Sequence, residues 1–173
     1  MKRIAQFEKV SFTQFYNSWA EDFGGTQDEI RAVYDAIKLP RRATSGSAGY
    51  DIFSPSNFVI KPGESLKIPT GIRCKIDEGW VLKLYPRSSL GFKFRLQLNN
   101  TVGIIDSDYY YSDNEGHIFI KLYNDSPEDK ILLVEQGDAF AQGIIQQFYK
   151  VDGDNVNIIR KGGIGSTNGQ VKK

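Results

Sequence analysis

From Lys38 to Tyr149, Pro, Gly, Asn and Asp cut the chain into short apolar/polar segments, and this punctuation limits the fold more than any other feature. The segments are residues 50–53, 58–60, 64–69, 71–76, 79–84, 118–123, 130–134 and 141–149. A period of two sends alternate side chains to opposite faces of a strand, so each segment can bury one face. Many short strands with regular turn signals predict a mainly β fold, a barrel or a two-sheet jelly roll. At 173 residues the chain is long enough for one domain with a full core.

Residues 1–37 follow a different period. Phe12, Phe15, Tyr16 and Trp19 stand at i, i+3, i+4 and i+7, which predicts an amphipathic helix with Ser11 as its N-cap. Gly24-Gly25 ends it, and Thr26 with Glu29 spaces like the capping box of a second helix carrying Ile30, Val33, Tyr34 and Ile37. The expected division is a helical extension (1–37) packed on the domain, a β domain (38–155) and a flexible Gly-rich arm (156–173).

Charge and cysteine content narrow the partners. Lys and Arg number 22 against 21 Asp and Glu, so the net charge of +1 argues against an electrostatic duplex binder. The single cysteine, Cys74, has no internal disulfide partner, which fits a reducing compartment, and it reads as an inert strand residue. No apolar run reaches signal-peptide or membrane-span length, so a soluble, intracellular protein is expected. His117 reads as a surface residue at a strand end.

Several stretches carry side chains suited to chemistry. In Asn99-Asn100-Thr101-Val102-Gly103-Ile104-Ile105-Asp106-Ser107-Asp108-Tyr109, Gly103 permits close backbone approach, and apolar flanks favour a hairpin that holds Asp106 rigidly. Such an Asp acts as a general base or binds a hydroxyl, or else bonds its own turn. Asp51, ending the small-residue loop 45–51, suits either metal-bound water or a turn cap. Pro86-Arg87-Ser88-Ser89-Leu90-Gly91 offers a guanidinium, hydroxyls and amides to an anion, or forms a Ser-capped turn. Gln142 is polar within an apolar segment and needs a hydrogen-bond partner, from a ligand or at a sheet edge. Arg160, Lys161, Gly162, Gly163, Gly165, Ser166 and Thr167 suit a lid on a polyphosphate, though without the spacing of a P-loop, or simply a linker.

Taken in order, Ala48-Gly49-Tyr50-Asp51, the Arg87 segment, Asn100 to Tyr109, Gly137-Asp138 to Gln142 and Gly162 to Thr167 closely resemble the five motifs of trimeric dUTPases. The resemblance spans about residues 38–169. It implies a jelly-roll (β-clip) homotrimer that hydrolyses dUTP to dUMP and pyrophosphate with Mg2+, keeping uracil out of DNA. By motif position Asp106 is the catalytic residue, contacting the 3′-hydroxyl and orienting the attacking water. Tyr109 packs on the deoxyribose and rejects UTP, while Asn100 and the backbone around Gly103 read uracil. Arg87, Ser88, Ser89 and Gly91 hold phosphates, Gln142 braces them, and Asp51 supports the metal indirectly through water. Arg160, Gly163, Ile164, Gly165 and Ser166 belong to the arm that closes from a neighbouring subunit, with Ile164 where the family usually stacks an aromatic ring.

An insertion at about residues 110–115 and the helical extension resemble dUTPases of staphylococcal phages. In that subgroup the enzyme also binds the repressor of a mobile pathogenicity island and releases it from DNA. The resemblance therefore implies an alternative role as regulator, with an exposed Tyr-rich, acidic loop at 109–115 as contact surface. A location in the host bacterial cytoplasm follows if the protein is phage-encoded. Neither direct nucleic-acid contact nor a membrane is implied. The related dCTP deaminases share the fold and give a third, weaker reading.

Overall fold

The computed structural model describes residues 3–158, 160 and 162. In chain order it forms β1 (Ala5–Lys9), α1 (Phe12–Phe23), α2 (Gln27–Ala36), β2 (Tyr50–Phe53), β3 (Phe58–Ile60), β4 (Ser65–Pro69), β5 (Ile72–Ile76) and β6 (Trp80–Pro86). Then follow α3 (Ser88–Phe94), β7 (Leu96–Leu98), β8 (Gly103–Ile105), a 3-10 turn (Ser107–Tyr111), β9 (Phe119–Asn124), β10 (Leu132–Val134) and β11 (Ala139–Gln147). The fold is mainly β with small helices. Its antiparallel sheets run β2-β11-β6-β8, β4-β9-β7, β1-β5 and β10-β3, so the strands do not close into one barrel.

Alternation does the expected work. In β5, Ile72, Cys74 and Ile76 are buried while Lys75 is exposed. Ile52, Leu82, Leu84, Ile105, Ile120, Leu122 and Phe140 complete a shared core. Cys74 lies within it, and burial pushes its thiol up to about 12, so it stays an unreactive thiol.

Both expected helices form with their expected caps. Ser11 Oγ accepts from the Gln14 N–H, and Thr26 with Glu29 makes a reciprocal capping box. Phe15, Trp19, Ile30 and Ile37 join the core of the strands, so the helical pair seats on the domain. Gly71 makes that seat possible. Its φ of +71° suits glycine, and a Cβ there would strike Ile37 and Phe15. Ahead of the helices, β1 pairs with β5 from Ala5↔Ile76 to Lys9↔Ile72, a strand that the helical period of this region does not disclose.

Three expectations change. His117 is fully buried rather than at the surface, because its ring is consumed by internal bonds. Nε2 accepts the Gly71 N–H at 2.9 Å and Nδ1 meets Ser18 Oγ at 3.3 Å. The arms around Asn99–Val102 are no paired hairpin, since β7 pairs with β9 whereas β8 pairs with β6. The turn steps between sheets, with Thr101 in the left-handed region at φ +66°. Nor is the loop at 109–115 broadly exposed. Tyr109 and Ser112 are buried, and Glu115 Oε2 and Oε1 accept the Ser11 N–H (2.7 Å) and Oγ–H (2.6 Å), which leaves Tyr111 and Asp113 outward.

Candidate active site

The first group of side chains gathers where three neighbouring strands end. Gln142 on β11 stands opposite Asp51 on β2 and Tyr85 on β6. Arg87, just beyond β6, sets Nε 3.3 Å from Asp51 Oδ1, and Gln142 Nε2 donates to the Pro86 carbonyl at 3.0 Å. This answers what Gln142 bonds: it ties β11 to the turn that presents Arg87. Gly49 lies so close that a Cβ there would sit 2.7 Å from Gln142 Oε1. The cleft so formed, of about 540 Å3, is also lined by the exposed Ser88 and Ser89. Those two open α3, where backbone N–H groups lack partners within the helix. Guanidinium, hydroxyls and amides together make an anion cradle. Gly91 lines the adjoining apolar cleft with Tyr85 and Phe92.

The second group is a cleft of about 350 Å3 between the two larger sheets, with Leu84, Leu98, Asn100, Gly103 and Phe119 on its walls. Its volume suits a small planar ligand. Gly103 is required by packing as well, since a Cβ would come within 2.9 Å of Leu84 Cβ. Asn100 is exposed on the turn above, free to present its amide.

The third group follows β8. Asp106 leaves the strand into the 3-10 turn, its side chain half exposed at 49 %. Arg160 Nη2 lies 2.7 Å from Asp106 Oδ2 and its Nε lies 2.9 Å from Asp108 Oδ1, so one guanidinium bridges two carboxylates. The same group stands 5.8 Å from the centre of the Tyr109 ring. Tyr109 is buried, and burial raises its pKa against smaller lowering effects of Asn114 and Arg160, so the phenol keeps its proton.

The first and third groups do not converge within one chain. Leu82 pairs with Ile105 and Leu84 with Gly103, so Asp106 is level with Val81 at the start of β6. Arg87 lies beyond the far end of that strand, about 20 Å away at ~3.3 Å per residue. One phosphoryl group cannot touch both from the same subunit.

Among the described residues no three His, Cys, Asp or Glu side chains form a metal cluster. Asp51 offers one carboxylate, already shared with Arg87. That donor set suits an ion such as Mg2+, which keeps its waters and is bound mainly by phosphate oxygens. Gly163, Ile164, Gly165 and Ser166 lie outside the described residues. Sequence reasoning missed Asn114, which bonds Tyr109, and Phe119, which walls the second cleft. The insertion gives no periodic signal for the first, and strand alternation alone does not reveal which cleft a ring such as Phe119 faces.

The dUTPase family model matches residues 35–168. Deoxyuridine 5′-triphosphate nucleotidohydrolase of Lactococcus lactis is 42% identical over 134 residues, 76% of this chain and 88% of its own length. The crystal structure of dUTPase from Streptococcus mutans superposes with a TM-score of 0.63 at 32% identity, covering 85% of this chain and 98% of its own. The dUTPase of Staphylococcus bacteriophage 80alpha with dUPNHPP gives a TM-score of 0.63 at 22% identity, covering 98% and 97%, a likeness of fold alone.

Proposed function

Since this chain belongs to the dUTPase family and is a dUTP nucleotidohydrolase, we propose that it cleaves dUTP to dUMP and pyrophosphate at sites shared between the subunits of a homotrimer. The observation that carries this reading is the separation of Asp106 from Arg87 along β6. A three-fold assembly supplies Arg87, Ser88, Ser89 and Gln142 from one subunit to Asp106, Asn100 and Tyr109 of the next.

Asp106 accepts a proton from water as the water oxygen attacks the α-phosphorus, and pyrophosphate leaves with the electron pair of the broken P–O bond. No covalent nucleophile is needed, because the triphosphate carries its own leaving group. The uracil enters the cleft of Asn100 and Gly103, where the turn backbone and the Asn100 amide read its edge. The deoxyribose packs on Tyr109, where a 2′-hydroxyl would meet the ring. Arg87 and the first amides of α3 receive phosphate oxygens, with Gly91 at the same turn. Arg160 exchanges its carboxylate partners for phosphate as substrate enters, which frees Asp106 for water. Asp51 would hold Mg2+ indirectly, through water, and the ion would supply neutralisation of phosphate charge.

The regulator reading has less to rest on here. Glu115, Asn114 and Tyr110 of the loop at 109–115 are engaged by the chain itself, which leaves Tyr111 as its only exposed aromatic side chain.

Pyrophosphate release from dUTP, dTTP, dCTP and UTP, with wild type and Asp106→Asn, tests the proposal. Release from dUTP alone, lowered in the variant by about 10²–10⁴-fold, is expected. Ammonia released from dCTP, or an unchanged rate in the variant, refutes it.

A further inference from the structure

The insertion after the active-site segment folds back on that segment and grips it. Asp106 opens the 3-10 turn, in which the Tyr109 N–H donates to the Asp106 carbonyl at 3.2 Å. The Tyr109 hydroxyl donates to the His117 carbonyl at 2.7 Å and accepts from Asn114 Nδ2 at 2.9 Å. Both its proton and a lone pair are therefore used, at the end of the ring furthest from its backbone. Asn114 is itself fixed, since its carbonyl accepts the His117 N–H at 3.0 Å and its Oδ1 shares the Ser112 hydroxyl proton, at 2.7 Å, with the Tyr109 carbonyl at 2.6 Å.

The loop that carries Asn114 has little slack. Gly116 takes φ +70°, and a Cβ there would lie 2.7 Å from Tyr110 Cα. Glu115 also has positive φ (+58°), where a residue with a side chain is strained. Its carboxylate is anchored by the N–H and hydroxyl of Ser11, the cap of α1. The helical extension and the insertion thus brace one another, and the Tyr109 ring is the group they hold.

We propose that Asn114 is a positioning residue which, by bonding the Tyr109 hydroxyl, fixes the ring against the sugar and sets discrimination between deoxyribo- and ribonucleotides. The proposal rests on Tyr109 being the sugar contact. Two substrates that differ by one hydroxyl are separated by a steric wall only if the wall does not yield, and a ring that tilts by a fraction of an ångström admits the larger sugar. Loss of the Asn114 bond leaves the ring attached at its hydroxyl by the His117 carbonyl alone.

The test measures kcat/KM for dUTP and UTP with the full chain and Mg2+, together with thermal melts. The variants are Asn114→Ala, Asn114→Asp (which keeps the volume but lacks the N–H donor), Tyr109→Phe, Tyr109→Ala and the Asn114→Ala/Tyr109→Phe pair. Removing Asn114 should lower the dUTP/UTP ratio by about 5- to 10-fold, mainly through faster UTP turnover, the equivalent of one neutral hydrogen bond. The same change made on Tyr109→Phe, which has no hydroxyl to hold, should move the ratio by less than about twofold. An unchanged ratio in folded Asn114→Ala and Asn114→Asp, with Tyr109→Ala still lowering it, overturns the role of Asn114 and leaves the Tyr109 reading intact. An unchanged ratio in Tyr109→Ala removes that reading and this proposal with it. Equal losses in the Tyr and Phe backgrounds mean that Asn114 acts through loop folding, which also overturns the proposal.

Discussion

At the scale of single residues, the imidazole of His117 ties the fold to pH. Burial drives its pKa down to about 3 from the usual 6.5, with Glu115 pulling the other way. Its Nε2 accepts from Gly71, so in the neutral ring the proton resides on Nδ1, facing Ser18. Between those two pKa values the unfolded chain binds a proton that the folded chain refuses. The stability linked to His117 is therefore complete above about pH 6.5 and falls as pH drops toward 3, by up to about 1.4 kcal/mol per pH unit. Glu115 adds to the trend in the same direction. Burial alone would raise its pKa, but its bonds to Ser11, with Arg73 and His117, bring it net below the usual value. Denaturant melts across this range should show a slope about one proton smaller in His117→Gln than in wild type, with lower stability at neutral pH. An unchanged slope contradicts a buried neutral ring. A lone histidine in sequence reveals none of this, because burial belongs to the partners that surround it. The turn at 99–102 is marked by paired Asn and Gly in the chain itself, whereas the hairpin expected around it does not form, because β7 and β8 pair with different strands.

At the scale of elements, local signals are legible in the sequence and sheet membership is not. Ser11, Thr26 and Glu29 cap the helices that their spacing predicted, because capping is a matter of residues three apart. Thr26→Ala removes one half of the capping box at an exposed site far in sequence from the active-site segments. It should cost about 1 kcal/mol, or roughly 2–4 °C in Tm, with kcat/KM for dUTP unchanged. A melt as high as that of wild type would show that α2 is held by packing alone. By contrast β7 and β8 have three residues each, too few to display a period. Their assignment to different sheets depends on partners distant in sequence, β9 for one and β6 for the other. Strand β1 was hidden for the same reason, since its pairing with β5 rather than its own composition defines it.

At the scale of the whole molecule, the motifs were legible as a set while their convergence was not. Asp51, Arg87 and Gln142 meet because β2, β11 and β6 are neighbours. Asp106 stands apart from them, level with Val81 at the other end of β6, and no sequence pattern states how far. The consequence proposed above is a site shared between subunits, to which one chain alone brings Asp106 or Arg87 but not both. Mixed trimers test this most directly. Asp106→Asn and Arg87→Ala are each purified, then unfolded and refolded together in equal amounts, and pyrophosphate release from dUTP is measured against either variant alone. If each site takes Asp106 from one subunit and Arg87 from another, about a quarter of the sites in a random mixture contain both intact residues, and activity returns well above that of either parent. Activity that stays at the level of the parents, in a mixture shown to be trimeric, would mean that both residues serve the same site from one chain, contrary to the arrangement described.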